Sequence, residues 1–443
     1  MKRDLTNGSI ISSLLAFSGP MILGNLLQQV YNIADTFIVG RFLGENALAA
    51  VGSTYTLTTF LYSIIIGLCM GCGSLVSYCF GERNERRLKG CLNISFLIIS
   101  SVTLVTELIT LCFSNGILKL LHTPMKIMSL TSDYVRIILS GIVFIFLYNF
   151  YSFMLRGIGN SLTPLILLGS SSVLNIILDF IFVADLDMGV KGAAYATVIS
   201  QAVSGVGLCV YTLAKEPLLR LSFKKKSWND CSFGEVVRMS TAASVQQSVM
   251  NFGILMIQGL VNSFGTTVMA AFTVAVKIDT VAYMPAQEFG NAFSLFISQN
   301  YGAKKYDRIK NCVKYSFGIS AAFCVLISIL VAIFSNNLMG LFISDDKTEI
   351  IAVGSQYLVT EGSFYVGIGI LFLLYGYYRG INRPEIALVL TVISLGTRVA
   401  LAYFLSGFEA IGVFGIWISI PIGWVLADVV GIMYMNKKGR VTN

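Results

Sequence analysis

Apolar stretches of around 20 residues recur along almost the whole chain, and each is long enough to cross a bilayer core as a helix. Twelve are expected, at 14–39, 54–80, 91–113, 133–155, 162–183, 189–213, 236–262, 270–299, 313–334, 351–378, 385–405 and 410–435. Of the 443 residues, 55% are hydrophobic and 12% charged, whereas a soluble domain carries about 25% charged residues. No long polar segment remains for a separate soluble domain. Lys2 and Arg3 precede the first run, but no Ala-x-Ala site follows, so the run reads as a retained span rather than a signal peptide. The fold class expected is an all-α polytopic membrane protein.

The net charge of +8 does not call for nucleic acid, because its distribution explains it. Basic residues gather at Lys2 and Arg3; Arg83, Arg86, Arg87 and Lys89; Arg156; Lys215, Arg220, Lys224, Lys225, Lys226 and Arg238; Lys304, Lys305, Arg308, Lys310 and Lys314; Arg379 and Arg383; and Lys437, Lys438 and Arg440. Every second loop is basic. The positive-inside rule then puts these segments and both termini in the cytoplasm of a multi-pass cell-membrane protein.

The chain also repeats itself. "GERNERRLKGCLNISF" (81–96) matches "GAKKYDRIKNCVKYSF" (302–317) at an offset of 221, as "GENALAA" (44–50) matches "GTTVMAA" (265–271). Further on the offset is 223, with "RGIGN" (156–160) against "RGINR" (379–383) and "GVKGA" (189–193) against "GVFGI" (412–416). Each half therefore holds six spans in the same orientation, and substrate is expected near the midplane. The halves are read as a lobe at 1–213, a cytoplasmic linker at 214–235 and a lobe at 236–443.

Several function classes lack their motifs. There is no phosphate-binding G-x-x-x-x-G-K-[ST], no H-E-x-x-H or G-x-S-x-G, and no TVGYG-like filter. The single histidine, His122, is given no role. "CMGC" at Cys69 to Cys72 lies inside an apolar run with no partner pair, and the nine cysteines read as small apolar fillers. The expectation is a carrier driven by an ion gradient, not an enzyme, with no cofactor.

Polar groups inside the apolar runs carry the chemistry. In "YNIADTFIVG" (31–40) Asp35 interrupts an otherwise apolar helix, at a cost of roughly 2.5–3.5 kcal/mol on insertion scales. "LNIILDFIF" in the fifth run places Asn175 and Asp179 on one helical face. Thr197 lies in the sixth run and Asn149 in the fourth. Counted from the external ends, Asp179, Asp35 and Thr197 all fall in the outer half of the bilayer. Two carboxylates, an amide oxygen and a hydroxyl are hard oxygen ligands for a small cation. Alternatively, two crowded carboxylates suit a proton carrier. Hydrogen bonding between helices would be the bland reading, yet such bonds average only about 0.6 kcal/mol in one membrane protein, a weak reason to bury two acids.

The second half differs. The repeat partners of Asp35, Asn175 and Asp179 are Met256, Arg398 and Ala402, so the ion site is expected to have no copy there. Lys277, Asp279 and Glu288 stand in the eighth run, Glu361 in the tenth and Arg398 in the eleventh; Glu361 and Arg398 fit either a structural ion pair or a substrate or gating role. Tyr31, Tyr55, Tyr62, Tyr148, Tyr151 and Tyr283 are candidates to line a cavity for a lipophilic cation.

Two six-span halves, "SGPMILGNLLQQVYNIADTFIVG", "RGIGNSLTP" and "QNYGAKKYDRIK" together resemble the multidrug and toxic compound extrusion (MATE) antiporters over essentially the whole chain. The resemblance implies a V-shaped pair of six-helix lobes that exports organic cations and other amphiphilic drugs against Na+ or H+ entry. It is strongest to the DinF-like branch. By that likeness Tyr31, Asp35, Asn149, Asn175, Asp179 and Thr197 form the N-lobe network, Pro20 is a point of bending and Gln28 a cavity position. Asp35, Asn175, Asp179 and Thr197 would ligate Na+ if sodium is the coupling ion. The seventh run has Gln246, Gln247 and Asn251 but no acid, against a C-lobe ion site of the other branch's kind. Lys277 and Arg398 are foreign to the pattern. The alternative within the superfamily is a lipid-linked-precursor flippase, which needs a basic cavity; a receptor or scaffold would have no need of the acid cluster. Expected partners are small amphiphilic or cationic substrates and membrane lipids, with the protein a monomer.

Overall fold

The computed structural model describes residues 4–120, 124–221, 231–343 and 347–438. His122, Lys2, Arg3, Lys224, Lys225, Lys226 and Arg440 lie outside the described residues, as does the middle of the linker. Among the described residues there is no strand. The helices are α1 (Ile10–Leu43), α2 (Glu45–Gly81), α3 (Glu85–Cys112), α4 (Ser114–Leu120), α5 (Met128–Leu139), α6 (Ile142–Gly157), α7 (Leu162–Asp179), α8 (Gly189–Lys215), α9 (Phe233–Asn262), α10 (Thr266–Gly302), α11 (Tyr306–Gly340), α12 (Thr348–Gly362), α13 (Tyr365–Gly380), α14 (Pro384–Ser406) and α15 (Phe414–Lys438).

Nine of the described helices are singly long and apolar enough to span, and two bent pairs bring the number to eleven. The twelfth expected span is α9, which has the length, at 30 residues, but carries Gln246, Gln247 and Asn251. The bent pairs are α5 with α6, at 41°, and α12 with α13, at 52°. Both breaks fall beside a Ser–Gly step, Ser140–Gly141 and Gly362–Ser363, where small residues weaken the helix. Ser140 and Ser363 are 223 positions apart, so the bend itself is duplicated.

The backbone repeats as the sequence does. Left-handed residues pair at the same offsets: Gly44 with Gly265, Arg83 with Lys304, Gly159 with Asn382, and Gly189 with Gly412. At Arg83, Gly159, Lys304 and Asn382 the turn closes a helix in one way, the next residue donating its N–H five positions back. These bonds are Asn84 to Cys79 O (3.3 Å), Asn160 to Leu155 O (2.9 Å), Lys305 to Asn300 O (2.9 Å) and Arg383 to Tyr378 O (2.8 Å).

The described chain forms two compact units, one of Gly19–Ser244 with Met1–Asp4, the other of Leu5–Ser18 with Val245–Asn443. These differ from the lobe ranges 1–213 and 236–443 at two places. In the first unit, the start of α9 packs on α2 so closely that a Cβ on Gly71 would meet the Met239 carbonyl, and Ser244 Oγ donates to Ile64 O at 3.0 Å. In the second, Leu5 N donates to Gln299 Oε1 (3.1 Å), while Arg308 donates to the carbonyls of Leu5, Asn7 and Gly8.

Two sequence expectations need correction. Cys91 and Cys231 are not fillers but a disulfide pair. Arg379, counted with the loop cations, is in the last turn of α13 at 4% exposure, donating to Ser294 Oγ (3.1 Å) and Asn291 Oδ1 (3.0 Å). Its flanking apolar residues let a helix-end arginine turn inward once polar partners satisfy it. Cys69 and Cys72 are buried and free, as packing residues would be.

Candidate functional site

Asn175 and Asp179 lie one turn apart at the end of α7, with 2% and 0% of their surface exposed. The helix widens into a π turn, Phe180–Asp185, immediately after Asp179; such turns recur at functional sites. Asp35, half-buried on α1, is an electrostatic neighbour of Asp179. Two neighbouring carboxylates repel, and a proton on one acid or a cation between them relieves that repulsion. No donor reaches Asp35 Oδ1, either carboxyl oxygen of Asp179, or Asn175 Oδ1, and Asn175 Nδ2 also has no partner. Among the described residues no Lys or Arg stands beside the pair. Burying an unpaired ion costs several kcal/mol even after relaxation, so electroneutrality demands at least one positive charge here.

Packing explains why these residues meet. One apolar cluster contains Ile38 and Val39 of α1, Ala47 of α2, Tyr134 and Ile138 of α5, Val183 of the π turn, and Val190, Ala193 and Ala194 of α8. Asp35 and Asp179 each sit about one helical turn from a member of that cluster, so apolar burial draws the two acids together, and Thr197 lies one turn beyond Ala193 of the same cluster on α8. Thr197 Oγ1 donates to Ala193 O at 3.0 Å, which leaves its lone pairs free to ligate.

The other expected residues are placed less uniformly. Tyr31 lies beside Asp35, with Gln28, Tyr55 and Tyr148 as neighbours. Gln28 is otherwise exposed, and α1 continues as one helix through Pro20. Asn149 is not brought to the acids through its amide hydrogens, because Nδ2 donates to Ile145 O at 2.9 Å. Tyr151 is a packing residue, 1% exposed and edge-on to Phe150 at 5.3 Å. Sequence reasoning missed Tyr134, which neighbours both aspartates, and Gln201, which neighbours Tyr62. Tyr134 falls near a span end, where aromatics are common at the membrane interface. Gln201, a polar amide in an apolar run, could have been found by the criterion that found Asn175.

The C-terminal unit has its own ionisable cluster. Asp279, Glu361 and Arg398, at 3%, 2% and 8% exposure, line a cavity of about 70 Å³ with Tyr283, Tyr357 and Trp424. Tyr283, Tyr357 and Arg398 are the repeat partners of Tyr62, Tyr134 and Asn175. The aromatic cage is thus duplicated, whereas the acids stand on different helices in the two halves. The expected Glu361–Arg398 pair is not a contact ion pair: no ion pair within 4.0 Å joins them, although they are electrostatic neighbours. Arg398 Nε, Glu361 Oε2 and Asp279 Oδ1 are without partners. Lys277 is exposed, and Glu288 accepts from Asn291 Nδ2 at 3.2 Å.

Comparison with known proteins agrees with this architecture. The MatE family model matches residues 20–181 and again 242–404, once in each half. The probable multidrug resistance protein YoeA of Bacillus subtilis is 28% identical, covering 98% of this chain and 96% of its own. The probable multidrug resistance protein NorM of Thermotoga maritima is 25% identical, covering 95% and 90%. In fold, the chain superposes on a crystal structure of MATE in complex with MaL6 with a TM-score of 0.90 at 23% identity, covering 98% and 97%. A MATE family multidrug resistance transporter in an outward-facing conformation gives 0.89 at 24%, also covering 98% and 97%. The chain belongs to the MatE family of multidrug efflux transporters, and it is a membrane transporter rather than an enzyme.

Proposed function

We propose that this protein is a secondary antiporter of the plasma membrane that exports organic cations and amphiphilic drugs in exchange for Na+ or H+. The observation that carries the reading is the Asp35–Asp179 carboxyl pair, buried without a basic neighbour and with an open amide at Asn175. Such a pair holds a proton or a small cation and becomes costly when empty, so release of one ligand is tied to capture of another. Asp35, Asp179, Asn175 Oδ1 and Thr197 Oγ1 supply the oxygens, and Tyr31 and Gln28 border them. Multidrug resistance relatives over nearly the whole chain support small-molecule export, and do not favour a lipid-linked-precursor flippase. The basic ends of the spans support a cytoplasmic location for both termini, and the exposed apolar residues of the spans suit contact with lipid.

The test uses sealed membrane vesicles and a fluorescent organic cation. An imposed sodium or pH gradient drives efflux by the wild type, and Asp35→Asn and Asp179→Asn abolish it at equal membrane content. If neither gradient drives efflux, the antiporter reading fails.

A further inference from the structure

A sulfur cluster in the Gly19–Ser244 unit is not used by the transport site. Cys91, in α3, is bonded to Cys231, just ahead of α9, with Cα atoms 5.4 Å apart, within the usual disulfide range of about 4.4–6.8 Å. The sulfur of Cys79, near the end of α2, lies 3.9 Å from that of Cys91. All three side chains are buried in one apolar cluster. Beside them Arg87 Nη2 binds both carboxyl oxygens of Glu235, at 2.8 and 3.0 Å.

The repeat shows what this junction does. Arg308, the partner of Arg87, grips Leu5, Asn7 and Gly8 ahead of α1. In both halves the arginine at one repeat position thus fastens the start of a half's first span, Arg308 the residues ahead of α1 and Arg87 the first turn of α9. Only the junction before α9 has a covalent fastening as well, since Cys312, the partner of Cys91, is free. The junction lies at the helix ends that carry Arg83, Arg86 and Arg87, which the positive-inside rule assigns to the cytoplasm. Disulfides in that reducing compartment are rare, and those that occur are usually transient or redox-sensing.

We propose that Cys91 and Cys231 are a reversible redox site, oxidised by a small-molecule disulfide, that slows transport by tying the start of α9 to α3. The Cys231 thiolate attacks the external disulfide, breaking its S–S bond, forming a mixed disulfide and releasing one thiol. The Cys91 thiolate then attacks the Cys231 sulfur and expels the second thiol. Two protein thiols are oxidised, one external disulfide is reduced, and the two protons released by the cysteines end on the departing thiols. Transport is movement of helices around a fixed site, and the start of α9 is held back while Cys231, two residues ahead of it, is bonded to α3.

The consequence for rate rests on the antiporter reading; the chemistry does not. Membranes holding the full chain are equilibrated in buffers of oxidised or reduced glutathione, free thiols are alkylated, and peptides are analysed by mass spectrometry while efflux is followed in parallel. The oxidised sample yields a linked Cys91–Cys231 peptide and severalfold slower efflux, and the reduced sample reverses both. Cys231→Ser makes the rate indifferent to the buffer, whereas Cys112→Ser, at an exposed cysteine, keeps the response. A missing linked peptide in every buffer, a linked peptide with unchanged rate, or a redox response surviving in Cys231→Ser each overturns the proposal. Absence of efflux from the wild type in both buffers would sink the antiporter reading, and the peptides would still decide whether the redox site exists.

Discussion

Replacing Asp179 by Asn tests the carboxyl pair most directly. The change keeps the side chain's shape and removes one formal charge from a residue with no exposed surface. A monovalent cation about 4 Å from a carboxylate gains about 4 kcal/mol at an effective dielectric of 20. At about 1.4 kcal/mol per tenfold, that is about three decades of cation affinity. In the proton-coupled case the same change leaves Asp35 as a lone acid that no longer shares a proton. Folding should survive, because the amide introduced at this position gives Asp35 a donor that Asp179 does not supply. The assay is efflux rate against sodium concentration and pH in vesicles, with thermal unfolding in detergent as the control. A variant that keeps the wild-type ion dependence at full rate refutes the reasoning, as would an experimental structure with the two carboxyls more than about 8 Å apart, too far to share one cation at 2.3–2.6 Å ligand distances.

Thr197→Ala removes one neutral oxygen and should weaken cation affinity by roughly fivefold, about 1 kcal/mol, without abolishing transport, read as a rightward shift of the sodium or proton activation curve. Gly71→Ala places a methyl group on the Met239 carbonyl and should cost roughly 1–3 kcal/mol, seen as a lower melting temperature with unaltered ion dependence. Glu361→Gln and Arg398→Met break a buried charge cluster, at about 3–5 kcal/mol of stability, and should lower stability or turnover while leaving the ion dependence intact. Should Glu361→Gln alone shift that dependence, the N-lobe assignment is reversed.

The spans were legible because a bilayer filters for apolar length, and an apolar run of about 20 residues seldom serves any purpose but crossing one. Even α9, which carries Gln246, Gln247 and Asn251, was found among these runs. Asp35, Asn175 and Asp179 were legible for the converse reason: a polar group in an apolar run is expensive and needs a purpose. Tyr134 was not, because an aromatic near a span end has an ordinary interfacial role. The Cys91–Cys231 bond was not, because its partners are 140 positions apart and sequence alone does not pair such distant cysteines. Arg379 was misread because distance from a span end says nothing about which way a long side chain turns.

The repeat itself separates scaffold from chemistry. Duplicated left-handed turns and span bends show that backbone geometry was held in both halves. The tyrosines at 62 and 283, and at 134 and 357, show that the aromatic walls were held too. Charge was not held. The first half has two acids and no cation beside them, whereas the second sets Arg398 against Asp279 and Glu361. Arg398 offsets one of the two C-terminal acids from within the fold, so that cluster is one positive charge short of neutrality, whereas the N-terminal pair is two short. The N-terminal pair has no such internal partner, so its balance must be met by something that arrives and leaves. Under the antiport proposed above, the duplicated cage therefore supports a division of labour in which the half lacking a built-in cation is the half that couples transport to an ion gradient.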